Sequence, residues 1–165
     1  MKVIKDPLIA AIGGFICILL LSYLNNFENN YIWLIPSFGA SMVLVMSVHK
    51  SDLAQPKNIF FGHVISGLSG FFVLSFIGSN IFCIGLGVGL AIFLMMVTKT
   101  VHPPAGGNPI IVILGEQSLS YIYITLALGS LIIIIFAIIY NKLVGKDYPY
   151  NCLLYTSDAA DDIPG

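Results

Sequence analysis

A run of three prolines and two glycines interrupts a chain that otherwise consists of long apolar segments. It extends over residues 101–109 and has the sequence Val-His-Pro-Pro-Ala-Gly-Gly-Asn-Pro. A bilayer tolerates a broken helix only where protein buries the backbone or where the backbone lines a polar cavity. The run therefore predicts a functional site inside a membrane domain.

Composition supports the membrane assignment. The chain has 165 residues, of which 58% are hydrophobic and 9% are charged, whereas soluble domains carry about 25% charged residues. We expect one all-α domain surrounded by the lipid bilayer. No basic patch with interleaved aromatic residues indicates a nucleic-acid partner. No Cys/His spacing indicates a metal, no cofactor motif is present, and no nucleophile–base pattern indicates an enzyme.

The last residues have a different composition and are expected to be non-native. Residues 152–161 resemble the in-frame translation of a transposon-end sequencing adapter. We therefore assign residues 1–150 to the transmembrane domain and residues 151–165 to a foreign, disordered tail.

The lysines predict how the apolar segments cross the membrane. The chain has seven lysines and no arginine. If the N-terminus is cytoplasmic and every segment crosses, all seven lysines fall on the cytoplasmic side, as the positive-inside rule expects. About six transmembrane segments and a cytoplasmic C-terminus follow. The segments are residues 7–24, 31–48, 60–77, 81–97, 103–114 and 121–140.

Two of these segments share an internal pattern. Residues 36–45 and 103–112 both follow Pro-x-x-Gly-small-polar-x-apolar-apolar-Val. Each lies between two longer apolar segments. The chain thus resembles two copies of helix, broken helix, helix, with the second copy inverted, which is a common transporter architecture.

The broken segments predict an anion site. Proline disfavours helix before it, so Pro36 and Pro103–Pro104 should interrupt these segments, with short helices over residues 41–48 and 108–114. Ser37 or Ser41 is expected to cap the first helix and Asn108 the second. Gly39, Gly106 and Gly107 are expected to allow tight turns. Two helix N-termini pointing inward would attract an anion without a buried arginine.

Several motifs resemble the HPP family of integral membrane proteins. They are His102-Pro103-Pro104-Ala105-Gly106-Gly107, the stretches 38–41, 53–58 and 62–66, and Tyr148-Pro149. Family members occur in bacteria and in plant plastids, where one branch is associated with nitrite transport. The resemblance implies a transporter of a nitrite-like anion in the bacterial inner membrane. The expected substrate-binding residues are Ser37, Phe38, Gly39, Ala40, Ser41, His63, His102, Pro103, Pro104, Ala105, Gly106, Gly107 and Asn108.

Alternatives remain open at this point. A passive channel for anions or small solutes, and a ligand-binding sensor or scaffold without transport, fit the same pattern. His63 and His102 could serve the anion or simply satisfy polar neighbours. A homo-oligomer is compatible with so short a domain. The glycines of the third and fourth segments are expected to allow close helix packing, namely Gly62, Gly67, Gly70, Gly85 and Gly89.

Overall fold

The computed structural model describes residues 2–27 and 33–150, and its regular elements over those residues are all helical. The expected foreign tail at 151–165 and the predicted start of the second segment at residue 31 lie outside this description. The described helices are α1 (Lys2–Phe27), α2 (Pro36–Ser47), α3 (Pro56–Phe76), α4 (Ile81–Val97), α5 (Asn108–Leu114) and α6 (Leu119–Leu143). Two 3-10 turns, Asp52–Ala54 and Pro103–Gly107, precede α3 and α5.

Helix length separates these elements into two groups. Among the described residues, α1, α3 and α6 are long and apolar enough to cross a membrane. Helix α4 has 17 residues, α2 has 12 and α5 has 7. At 1.5 Å per residue, α2 is about 18 Å long, well short of the roughly 30 Å hydrocarbon core. The second and fifth apolar segments are therefore short helices.

Prolines set where helical structure begins in the two short segments, and α2 begins at Pro36 and not at residue 41 as predicted. Ile35, before Pro36, is extended with φ −130° and ψ 151°. His102, before Pro103, is extended with φ −137° and ψ 99°. The residue before a proline is pushed out of the helical region because it clashes with the proline ring. Helical structure therefore starts at the proline in both segments.

The capping predictions for Ser37, Ser41 and Asn108 are wrong. The N-cap residues are Ile35 for α2 and Gly107 for α5, and neither helix has a side-chain cap. Asn108 follows a 3-10 turn, so it already lies within helical backbone. Its side chain, like those of the two serines inside α2, points instead to other helices.

The predicted tight turn is wrong for Gly39, whereas Gly106 and Gly107 do lie in a tight turn, although without positive φ. Gly39 lies inside α2, and the other two lie in the 3-10 turn before α5. Within the described residues, the glycines with positive φ are Gly78 and Gly145. The bends come from the prolines instead.

Helix α3 contacts α4, α5 and α6 through glycines. A Cβ atom on Gly70 would lie 2.7 Å from Pro109 Cα, and one on Gly62 would lie 2.6 Å from His102 Cβ. A Cβ on Gly67 would meet the Leu126 side chain. Close packing is therefore confirmed for these three glycines. It is wrong for Gly85 and Gly89, which have open space where a Cβ would be.

Helix α6 changes its winding partway along. Residues Ile122–Leu128 form a π-helix between two α-helical parts. Such insertions are rare and often occur near functional sites. Two buried hydroxyls of this region lack a partner, namely Tyr121 Oη and Thr125 Oγ1.

Candidate functional site

Six polar side chains are buried together where α2, α3 and the segment that starts α5 meet. Each is at most 5% exposed. Polar groups inside a membrane domain are expensive unless they pair with each other, and they usually mark functional pathways. We call this group the polar cluster: Ser37, Ser41, His63, Ser66, His102 and Asn108.

The two short helices meet at their N-terminal ends. Ser37, the second residue of α2, donates a 2.7 Å hydrogen bond from Oγ to Oδ1 of Asn108, the first residue of α5. Seventy-one positions separate the two residues in the chain. The N-terminal end of the α2 dipole therefore faces this buried contact, whereas helical backbone in the second segment begins at Pro103, ahead of Asn108.

Ser41 bridges the two histidines. Its Oγ lies 2.9 Å from His63 Nε2 and 2.8 Å from His102 Nε2. On its other side, His102 Nδ1 lies 2.8 Å from the carbonyl oxygen of Leu53 in the 3-10 turn before α3. A carbonyl oxygen can only accept, so Nδ1 of His102 carries the hydrogen. In the neutral ring, Nε2 of His102 then accepts from Ser41.

The other end of the cluster fixes His63 in the opposite tautomer. Asn108 Nδ2 lies 2.9 Å from His63 Nδ1. An amide nitrogen can only donate, so Nδ1 accepts and Nε2 carries the hydrogen. His63 therefore donates to Ser41. Asn108 Nδ2 also donates to Ser66 Oγ at 2.9 Å, and Ser66 donates to the His63 carbonyl at 3.1 Å.

Aromatic rings enclose the cluster on the α6 side. The Phe38 ring lies edge-on to His63 at 5.1 Å between centroids, and the two histidine rings are also 5.1 Å apart. Phe38 is fully buried and its ring packs against Gly129 of α6. Phe38 thus holds His63 by packing.

The cluster contains five of the thirteen predicted site residues, and Phe38 packs directly against it. The remaining seven lie outside it. Gly39 lines a groove between α2 and α1, and Ala105 packs with Ala91 and Met95. Ala40 and Pro103 are exposed, and Pro104, Gly106 and Gly107 are partly exposed.

Two contributors were missed by the sequence reasoning. Ser66 lies three residues after His63 on the same face of α3, a spacing that could have identified it. The Leu53 carbonyl is backbone, so no side-chain pattern indicates it.

The cluster has no fixed charge. Its members are hydroxyl, amide and imidazole groups, and within the described part of the chain no group of three His, Cys, Asp or Glu could hold a metal. Charged residues line a separate cavity between the start of α1, the end of α2 and the segment after α6, including Lys5, Lys50 and Lys146. There, partial burial lowers the pKa of His49, with Lys146 and Lys50 adding to the effect.

Comparison with known proteins gives a family and no activity. The family described as "HPP, transmembrane region" matches residues 2–149. Two transmembrane proteins of Dictyostelium discoideum are similar, one 35% identical over 146 residues and the other 32% identical over 151 residues. The matches cover 82% and 86% of this chain but 47% and 53% of the relatives. The chain thus spans about half the length of these relatives. No solved structure matches it.

Proposed function

Because the chain belongs to the HPP transmembrane family, we propose that it transports a small inorganic anion, nitrite-like in size and charge, across a membrane. The polar cluster is the proposed binding site. Membership in this family establishes that the chain is a membrane domain. The proposal about cargo rests on the chemistry of the cluster and on the resemblance to a family with a nitrite-transporting branch.

The hydrogen bond between Ser37 and Asn108 is the observation that carries this proposal. It brings two helix starts together at a fully buried point. The start of α2 contributes about half a positive charge without a basic side chain. The chain has no arginine, and its described lysines lie outside the cluster.

Three polar hydrogens at the junction suit a small anion. They belong to Ser37 Oγ, Asn108 Nδ2 and His63 Nε2, which donate to Asn108 Oδ1, Ser66 Oγ and Ser41 Oγ in the arrangement described above. An anion would take over these donors from their internal acceptors. The structure thus corresponds to a closed arrangement, and we propose that opening exposes the junction to one side at a time.

We also propose the six-crossing topology in an inner bacterial membrane, with both termini cytoplasmic. Helices α1–α3 and α4–α6 would form the two inverted repeats, so α2 and α5 would enter from opposite faces. The segregation of all seven lysines and the proline at the start of each short segment support this topology.

Uptake of nitrite into vesicles that contain the purified protein tests the proposal. We expect saturable uptake that falls strongly in Ser37→Ala and Asn108→Ala. Ser47→Ala is the matched control, because Ser47 is an exposed serine of the same helix that bonds only its own backbone. Absence of flux for nitrite, nitrate, formate and chloride refutes transport. Flux that does not saturate identifies a channel, and tight binding without flux identifies a sensor or scaffold.

A further inference from the structure

We propose that His63, Ser41 and His102 form a binding site for one proton, which crosses together with the anion. This inference rests on the proposed function and adds its coupling ion. It follows from counting hydrogen-bond donors and acceptors along the bridge between the two histidines.

In the neutral bridge every polar hydrogen has an acceptor. His102 Nδ1 donates to the Leu53 carbonyl, Ser41 donates to His102 Nε2, and His63 Nε2 donates to Ser41. Ser41 has a single hydrogen. If it pointed elsewhere, the lone pair of His102 Nε2 would face a hydroxyl oxygen without a hydrogen between them.

One further acceptor lies within hydrogen-bond distance of the Ser41 hydroxyl. Ser41 Oγ also lies 2.9 Å from the backbone carbonyl of Ser37, one turn earlier in α2. When a proton binds to His102 Nε2, that nitrogen becomes a donor. The Ser41 hydroxyl can then rotate to the Ser37 carbonyl and accept from both histidines. The protonated bridge keeps a partner for every hydrogen.

The bridge can bind one proton and no more. The remaining unprotonated ring nitrogen is His63 Nδ1, which faces the Asn108 amide nitrogen at 2.9 Å. A hydrogen there would meet another donor. Nδ1 of His102 already carries its hydrogen toward Leu53. No other position in the described bridge can take a proton without losing a hydrogen bond.

Charge balance supplies the reason for a proton to enter. Helices α2 and α4 and the stretch 103–114 contain no Asp, Glu, Lys or Arg. The charged residues nearest in sequence to Ser41, His63 and His102 are Lys50, Lys57 and Lys99, and all three are exposed. A buried lone anion is expensive, whereas an anion with an imidazolium is neutral overall. Each partner therefore favours binding of the other.

The test measures nitrite accumulation in sealed vesicles under two separate driving forces. In one set the outside solution is more acidic than the inside, and the membrane potential is clamped at zero. The other has a membrane potential with equal pH on both sides. With one proton per anion, a gradient of one pH unit should drive nitrite toward about tenfold accumulation at an initial rate well above that of protein-free vesicles, and the potential should have no effect.

A second readout does not depend on flux. Nitrite is added to detergent-solubilised protein in weakly buffered solution, and we expect uptake of about one proton per nitrite bound. His102→Gln should abolish proton uptake and make accumulation respond to the potential. His49→Gln changes the histidine outside the cluster. It should keep the proton uptake of the wild type and leave nitrite accumulation insensitive to the potential. If His102→Gln does not fold, Ser41→Ala provides the same comparison.

The outcomes separate the inference from the proposed function. Saturable nitrite flux that follows the potential, ignores the pH gradient and binds no proton overturns proton coupling and leaves anion transport standing. Nitrite that neither moves nor binds overturns both. A wild-type coupling ratio that His102→Gln and Ser41→Ala leave unchanged assigns the proton to another group and overturns the inference.

Discussion

The contact between Gly62 and His102 gives the sharpest test of how the polar cluster is built. In Gly62→Ala the new Cβ would lie 2.6 Å from His102 Cβ and 3.2 Å from the carbonyl oxygen of Thr100. Carbon atoms pack best at about 3.5–4.0 Å. The segment that carries His102 must therefore move away from α3 by about 1 Å.

Such a movement affects both hydrogen bonds of the ring. His102 lies 2.8 Å from Ser41 Oγ and 2.8 Å from the Leu53 carbonyl. A shift of about 1 Å takes at least one of these beyond hydrogen-bond range. Overpacking costs about 1–3 kcal/mol and a buried polar group without a partner costs about 1–3 kcal/mol. We expect the free energy of unfolding to fall by about 2–6 kcal/mol.

Equilibrium unfolding in detergent micelles measures this loss, with two other glycines for comparison. Gly89→Ala meets open space and should be neutral or stabilising by up to about 1 kcal/mol, since alanine favours helix over glycine. Gly67→Ala meets the end of the flexible Leu126 side chain and should fall between the two. A Gly62→Ala protein as stable as the wild type would refute the packing argument.

Three further substitutions test separate parts of the structure. Ser37→Ala should lower the free energy of unfolding by about 1–3 kcal/mol, because Asn108 Oδ1 loses its donor. Substitution of the exposed Ser47 by alanine should change it by less than about 0.5 kcal/mol. Equal effects of the two substitutions in denaturant titrations would contradict this. Thr125→Val removes a buried hydroxyl without a partner, so the melting temperature should rise. A lower melting temperature would count against it. Burial raises the pKa of Tyr148 above its unfolded value of about 10, so stability should decline as pH rises beyond about 10. Tyr148→Phe should lose about 1 kcal/mol at neutral pH, where its hydroxyl bond is missing, but show a smaller alkaline decline between pH 8 and 11. Melting curves at both pH values measure this, and identical alkaline slopes would refute it.

The sequence predicted much of the architecture because its signals are local. Apolar length indicates helices, and Pro36 and Pro103 mark where a long helix is interrupted, although α2 begins five residues earlier than predicted. The residue types of the cluster were also predictable, since serine, histidine and asparagine are rare within apolar segments. Their placement at a common junction followed from the shared pattern around the two prolines.

The hydrogen-bond network of the cluster could not be predicted, because it depends on contacts between distant parts of the chain. Ser41 meets His63 and His102 across 22 and 61 positions. The Leu53 carbonyl that orients His102 is backbone. The capping error has a local cause: a 3-10 turn continues the helix ahead of Asn108, so the helix start lies at Pro103.

The long separation between Ser37 and Asn108 also governs how the protein can be made. At about 5–20 residues per second, a ribosome needs about 4–14 s to add the 71 residues between them. During that interval Ser41 and His63 can pair with each other, but their later partners, Asn108 and His102, do not yet exist. Helix α3 is the least apolar of the three long helices. We therefore expect α2 and α3 to stay beside the insertion machinery, away from lipid, until α5 is synthesised.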